Sequence, residues 1–265
     1  GEVNSATGSS VTSAGDVNAD GYDDLLIGAP AARPVPGTPA GTTYVVFGRP
    51  GEISSPVDLT ALNGTNGFQM NGSGLNENSG FSVSSAGDFN GDGFDDVVVG
   101  AYAANNAIGG SVGETYVVFG KASGFPSEIH LLSLNGTDGF RINGIDPYDN
   151  SGYSVSTAGG LNCDGYDDLI IGARHADPNE STNAGESYVV YGQAGTFSPE
   201  FNLSTLDGSN GFRLDGIDAF DISGSSVSLA GDVNGDGFSD IIIGAIDADP
   251  ADVFAAGETY IIFGD

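Results

Sequence analysis

The 265 residues carry 36 acidic side chains against six basic ones, a net charge of −30, which excludes nucleic-acid phosphates and anionic lipid surfaces as natural partners. Glycine fills 44 positions without a Gly-X-Y period and proline only 11, so collagen is ruled out, and 39 % hydrophobic content argues against a disordered chain. One cysteine, Cys163, cannot form an internal disulfide, and no apolar run approaches the roughly 20 residues of a membrane helix.

In chain order, the first predicted elements lie in SSVTSAGDVNADGYDDLLIGA, Ser9 to Ala29, two short strands around an acidic turn. A third strand follows in TTYVVFG, ending at Gly48, and a fourth in LNGTNGFQMNG, ending at Gly72. The first block recurs from Phe81, Tyr153 and Ser225, a step of 72 residues each time. The third strand recurs as ETYVVFG, ESYVVYG and ETYIIFG, and the fourth as LNGTDGFRING and LDGSNGFRLDG. The strands that begin at Asp24, Asp96, Asp168 and Asp240 continue as LLI, VVV, LII and III, unbroken apolar runs that suit a strand covered on both faces. The GF strand alternates instead (Phe68, Gln69, Met70, Asn71), which predicts an outer or edge strand. Serial four-stranded units that bury their faces only against one another predict an all-β β-propeller. It would be a single domain over 1–265, with repeats at roughly 1–72, 73–144, 145–216 and 217–265.

The pattern FSVSSAGDFNGDGFDDVVVGA, with a literal Gly28-Ala29-Pro30 in the first copy, resembles the FG-GAP repeat of integrin α-subunit propellers and related bacterial surface proteins. The resemblance covers nearly the whole chain. It implies blades that carry calcium in the hairpin between their first two strands, although that family usually has seven blades and this sequence has about four repeats.

The hairpin residues support the same ion independently. Asp16, Asn18, Asp20 and Asp24 stand at positions 1, 3, 5 and 9 of the first loop, with Gly21 at the turn and the Tyr22 carbonyl at position 7. Calcium takes six to eight hard oxygen ligands, and alternate residues of a tight loop can converge on one ion. Asp88, Asn90, Asp92, the Phe94 carbonyl and Asp96 repeat the set, as do Asp232, Asn234, Asp236, the Phe238 carbonyl and Asp240. The third loop has Asn162, Asp164, the Tyr166 carbonyl and Asp168, but Gly160 replaces its first ligand, so the weakest binding is expected there. An EF-hand is rejected because its position 12 requires Glu, and Ile27, Val99, Ile171 and Ile243 stand there. The competing reading is a set of Asx turns without metal, which the mutual repulsion of three carboxylates in one loop disfavours. Asp23, Asp95 and Asp167, at position 8, are expected to face solvent.

His130 and His175 lie in no metal or triad motif, and no catalytic constellation is recognisable, so no enzymatic activity is expected. The sequence therefore points to a calcium-binding extracellular or cell-surface adhesion module for a protein or glycan. A calcium-stabilised lectin is the alternative, and a polysaccharide-acting enzyme is the more distant one. The variable loops between second and third strands and between fourth and first strands share the face away from the acidic hairpins, and carry Tyr102, Tyr148, Arg174, His175, Phe220 and Phe254. The stretch Gly1 to Ser5 is expected to add to the ETYIIFG strand and close the ring. An open ring would instead pair with a second copy or belong to a larger propeller.

Overall fold

The computed structural model describes residues 4–34, 38–51, 56–105 and 109–265. The first blade holds β1 (Ser10–Gly15), β2 (Asp24–Ala29), β3 (Thr42–Val46) and β4 (Gly67–Asn71). The second holds β5 (Ser82–Gly87), β6 (Asp96–Ala101), β7 (Glu114–Val118), β8 (Glu128–His130) and β9 (Gly139–Asn143). The third holds β10 (Ser151–Gly159), β11 (Asp168–Ala173), β12 (Glu186–Val190), β13 (Glu200–Asn202) and β14 (Gly211–Asp215), and the fourth β15 (Ser223–Gly231), β16 (Asp240–Ala245) and β17 (Glu258–Ile262). Each blade is an antiparallel meander in the same register: Ile27 faces Tyr44 as Val99 faces Tyr116, Ile171 faces Tyr188 and Ile243 faces Tyr260. The protein is thus an all-β propeller-type array of four blades.

The GF strand is not the edge in the first two blades. The linker strand β8 pairs with β4 in parallel, Met70 against Ile129, and β13 pairs with β9 in the same way. Each three-residue strand leaves the linker of one blade to finish the sheet of the blade before it. Its shortness, and its place between proline- and serine-rich turns, left no two-residue period to read in the sequence. Phe125 and Phe197 from the same linkers stack on Phe68 and Phe140 of the preceding blades, with ring centroids 4.3 and 5.0 Å apart.

The core lies between blades. One cluster joins Leu26, Val45, Phe68 and Met70 to Val83, Val97, Val99 and Tyr116; a second joins Val98, Val117 and Phe140 to Val155, Leu169 and Tyr188; a third joins Ile170 and Val189 to Val227 and Ile241. The backbones of neighbouring blades approach closely at the GA pair of the second strand in the first three blades. A Cβ on Gly28, Gly100 or Gly172 would lie 2.0, 2.2 or 2.1 Å from the carbonyl oxygen of Gly80, Gly152 or Gly224 in the next blade, so no side chain fits.

The proposed closure by Gly1 to Ser5 falls partly outside the described residues, which begin at Asn4. Ser5 belongs to the first blade, where its carbonyl accepts from the Ala31 N–H, and Gly8 N–H donates to the Gly28 carbonyl. Among the described residues β17 has no further strand on its outer side. Among the described residues no helix is long and apolar enough to cross a membrane.

Candidate functional site

A β-bulge sets up each acidic hairpin. In the first blade the register slips between Ser13 and Gly15, with Gly15 at φ 72°, and the same slip occurs at Gly87, Gly159 and Gly231. The bulge turns the chain into the loop and lets its last aspartate begin the second strand. Asp24, Asp96, Asp168 and Asp240 are fully buried there. Asp24 accepts from the Val17 and Gly48 N–H groups at 3.1 and 2.8 Å, and so ties the hairpin to the end of β3. Asp168 and Asp240 hold Leu161 and Gly192, and Val233 and Gly264, in the same way.

The exposed part of each complete loop is organised by its first aspartate. Asp16 accepts from the Asp20 and Gly21 N–H groups, Asp88 from Asp92 and Gly93, and Asp232 from Asp236 and Gly237. Asn18, Asn90 and Asn234 accept from the fifth residue, and Asp20, Asp92 and Asp236 from the N–H of Tyr22, Phe94 and Phe238. In the third loop Asn162 and Asp164 keep these bonds, and Gly160 leaves the first set unmade. A Cβ built on Gly160 would lie 3.6 Å from the Tyr166 carbonyl oxygen, so the first and seventh positions face one another across the loop.

The structure therefore brings the predicted residues of each loop into one hairpin, with the carboxylates turned onto backbone N–H groups. Among the described residues no three carboxylate, imidazole or thiol groups converge on one point. The charge is nonetheless uncompensated. Burial, reinforced by Asp20 and Asp16, pushes the Asp24 carboxyl up to about 7; burial pushes Asp96 up to about 8, with Asp92 and Asp88 adding to it, and Asp168 up to about 7. Asp96 Oδ2 is buried and accepts no hydrogen bond. Hard oxygen donors, a buried carboxyl at the base of the hairpin and, at Asp96, a carboxylate oxygen without a hydrogen-bond partner fit a calcium ion.

Two position-8 aspartates do not face solvent as expected. Asp95 Oδ2 accepts from the Asp16 N–H of the blade before it at 2.8 Å, and Asp167 Oδ2 from the Asp88 N–H at 2.9 Å. The periodic recurrence of a carboxylate there, and its loss at Ser239 opposite Gly160, was the available signal.

At the other end of the blades the two sets of variable loops join. Ser79 N–H donates to the Ala40 carbonyl, Ser151 to Val112 and Ser223 to Ala184. Of the six side chains expected here, Tyr148, Phe220 and Phe254 are exposed, whereas the other three are engaged. Tyr102 packs on Phe81 and Tyr153, the Arg174 guanidinium lies 3.7 Å from the Tyr153 ring centroid, and His175 Nδ1 bonds Asn150 Oδ1 at 2.8 Å. Asn106, Ala107 and Ile108 and residues 35–37 of these loops lie outside the described residues. This end also holds buried carboxylates that no sequence argument singled out. Glu77 accepts from the Ser73 and Gly74 N–H groups near Glu114, which accepts a hydrogen bond from the Tyr116 hydroxyl at 2.6 Å and lies 3.3 Å from Arg141. Glu186 repeats this with Tyr188 and Arg213. The repeated Glu-x-Tyr of the third strand was the trace in the sequence.

Blades of this register, each with a bulged acidic hairpin between its first two strands, define a propeller built from integrin α-like repeats. The family described as FG-GAP repeat matches residues 7–46, 79–118, 151–190 and 223–262, and the chain belongs to it. It is 27 % identical over 249 residues to Integrin alpha pat-2 of Caenorhabditis elegans, covering 88 % of this chain and 17 % of that protein. It is 34 % identical over 173 residues to Integrin alpha-PS5 of Drosophila melanogaster (64 % of this chain, 15 % of that one). It is also 32 % identical over 172 residues to Phosphatidylinositol-glycan-specific phospholipase D of Bos taurus (64 % and 19 %). The chain thus spans less than a fifth of each of these relatives.

Proposed function

We propose that the chain is a calcium-stabilised binding module of the adhesion type, working in an extracellular or cell-surface setting and taking a protein or glycan on the loop face opposite the acidic hairpins. Kinship with integrin α subunits supports the adhesive setting. Asp16, Asn18, Asp20, the Tyr22 carbonyl and Asp24 would hold one calcium ion, and their equivalents in the second and fourth blades two more. Bound calcium would neutralise the buried aspartate at the base of each hairpin and fasten the two inner strands of the blade together.

The observation that carries the binding face is the backbone under its aromatics. Asn76, Tyr148 and Phe220 occupy the same repeat position, all in left-handed conformation at φ 61°, 76° and 71°. Asparagine suits that region and a bulky ring does not, yet the rings are exposed and stabilise no core. Strain retained for an exposed aromatic is what a recognition surface shows. The large negative charge favours a basic or neutral, sugar-like ligand, or one engaged through a shared calcium ion.

Melting with chelator and with millimolar calcium tests the metal: at dissociation constants near 10⁻⁴ to 10⁻³ M each site adds roughly 0.5 to 1.5 kcal/mol. An unchanged midpoint would reject it. A panel of immobilised glycans and basic proteins tests the face: the double variant Tyr148→Ala, Phe220→Ala should lose a captured ligand while keeping its calcium response. Loss on altering Asp88 or Asp232 alone would move recognition to the hairpin face.

A further inference from the structure

Carboxylates outnumber cations six to one in this chain, and the cations of the blades are taken up by them: Lys121 by Asp138, Arg141 by Glu114 and Glu200, Arg213 by Glu186 and Asp215. Arg174 is different. It is half-buried, makes no ion pair among the described residues, and its buried Nε–H donates to nothing.

Arg174 directly follows strand β11, and its guanidinium carbon lies 3.7 Å from the ring centroid of Tyr153 on the neighbouring strand β10. Phe81 and Tyr102 of the second blade pack against that ring with centroids 4.9 and 5.3 Å away, and the Tyr102 hydroxyl accepts from Asn78 Nδ2 at 3.1 Å. On the other side the fourth blade is in place, where Ser154 Oγ donates to the Gly224 carbonyl at 2.8 Å. The surroundings of Arg174 are thus built from three consecutive blades and depend on neither terminus. The cation is no requirement of the blade, because Pro30, Tyr102 and Ile246 hold the same repeat position.

An aromatic face attracts a guanidinium but leaves its N–H edge unsatisfied, and half-burying a cation without a counter-charge is unfavourable. A guanidinium held flat on a packed ring is preorganised for a planar carboxylate, which it takes through two parallel hydrogen bonds. The next residue adds a complementary group. Burial and the adjoining Arg174 charge hold the His175 imidazole below its usual range, so it is neutral at pH 7. Asn150 Nδ2 donates to the Tyr102 carbonyl at 3.2 Å, so its Oδ1 accepts from His175 Nδ1–H at 2.8 Å and Nε2 is left with a lone pair for a hydroxyl. Asp177, the carboxylate nearest in sequence, is occupied by the Asn183 N–H.

We propose that Arg174 and His175 form a loop-face subsite for a carboxylated sugar, with the guanidinium taking the carboxylate and the imidazole a neighbouring hydroxyl. The net charge of −30 repels a ligand with many anionic groups, such as an acidic peptide, whereas a hydroxylated body with a single carboxylate meets little of that field beyond the local pair. The exposed parts of Phe81, Tyr102 and Tyr153 supply aromatic surface for the C–H face of the sugar ring. The inference rests on the loop-face reading given above and names the class of its ligand.

The probes are glucuronate and galacturonate, each set against its neutral methyl ester, titrated to ~50 mM in ~0.15 M salt and followed by calorimetry and by the proton resonances of the two histidines. At least one acid should bind roughly ten-fold or more tightly than its ester; Arg174→Gln should erase that margin, and Arg174→Lys, which keeps the charge without the fork, should retain only part of it. The His175 resonances should move on binding, and those of His130, on the outer linker strand β8, should not. Calcium-dependent melting of both variants should match that of the parent chain. No binding of either acid, equal binding of acid and ester, a margin that survives Arg174→Gln, acetate held as tightly as the sugar acids, or an acidic peptide held through Arg174 in their place would each overturn the proposal. A neutral glycan lost with Tyr148→Ala, Phe220→Ala but indifferent to Arg174→Gln would overturn it too, and would leave the loop-face reading standing.

Discussion

The Asp95 carboxylate accepts a hydrogen bond from the Asp16 N–H at 2.8 Å and thereby connects the acidic hairpins of two successive blades, as Asp167 does with Asp88 at 2.9 Å. Each bond fixes the first residue of one loop with a side chain of the next, so the hairpins are positioned as a row. Asp95→Ala or Asp167→Ala strands a part-buried N–H and should lower unfolding stability by about 1–2 kcal/mol each in denaturant titrations. Asp23→Ala, which has no preceding hairpin among the described residues, should change it by less than about 0.5 kcal/mol. Equal effects at all three positions would show that the aspartates act locally.

The third hairpin offers a gain-of-function test of the metal reading. Gly160 is not in a left-handed conformation, and a Cβ there meets only the Tyr166 carbonyl oxygen at 3.6 Å, ordinary contact. Gly160→Asp should therefore fold and add one equivalent of calcium in titration calorimetry, with a further roughly 0.5 to 1.5 kcal/mol of calcium-dependent stability. Asp92→Ala should remove a comparable amount. A Gly160→Asp protein with unchanged stoichiometry would mean that the hairpins are Asx turns alone.

The repeat made most of the fold legible. A fixed 72-residue step locates the main strands of every repeat once one copy is read, and the unbroken VVV and LII runs match strands β6 and β11, which are buried throughout. Two kinds of feature escaped. The linker strands β8 and β13 are three residues long, and their pairing is with the previous blade, which no local period encodes. Side-chain direction in the hairpins also escaped, because an aspartate beside a turn reads as solvated until the neighbouring blade supplies the N–H that it meets. The metal-loop residues were legible by spacing, whereas the buried Glu77 and Glu114 pair depends on a loop and the start of strand β7, which meet only after folding.

That pair predicts how stability follows pH. Burial pushes the Glu77 carboxyl up to about 7, with Glu114 adding to it, and pushes Asp149 up to about 7, with Glu186 and Asp146 adding. A carboxyl raised in the folded state binds its proton more tightly there than in the unfolded chain. The associated stability is full at pH 4 and is lost as pH rises through about 7. Melting without calcium should therefore decline between pH 5 and 8, and Glu77→Gln should flatten the decline. Saturating calcium should remove only the part due to Asp24 and Asp96, the buried aspartates of complete hairpins with raised carboxyls. A midpoint that rises with pH over this range would contradict the burial argument.

Phe220 separates folding from recognition. Its φ of 71° is left-handed, its ring is exposed, and its N–H donates to the Thr182 carbonyl at 2.9 Å, a bond that any residue except proline would keep. The equivalent position in the second repeat step is Asn76, at φ 61°. Phe220→Asn should relieve the steric cost of a Cβ-bearing ring in this region, about 1 kcal/mol, and raise the melting midpoint by roughly 2–4 °C. The same change removes an exposed aromatic from the loop face, so affinity for a ligand captured there should fall while calcium-dependent melting persists. Stability and binding would then move in opposite directions, as expected where strain is kept for function. A Phe220→Asn protein that is less stable, or equally stable and still binding, would show that the ring is held by packing and takes no part in recognition.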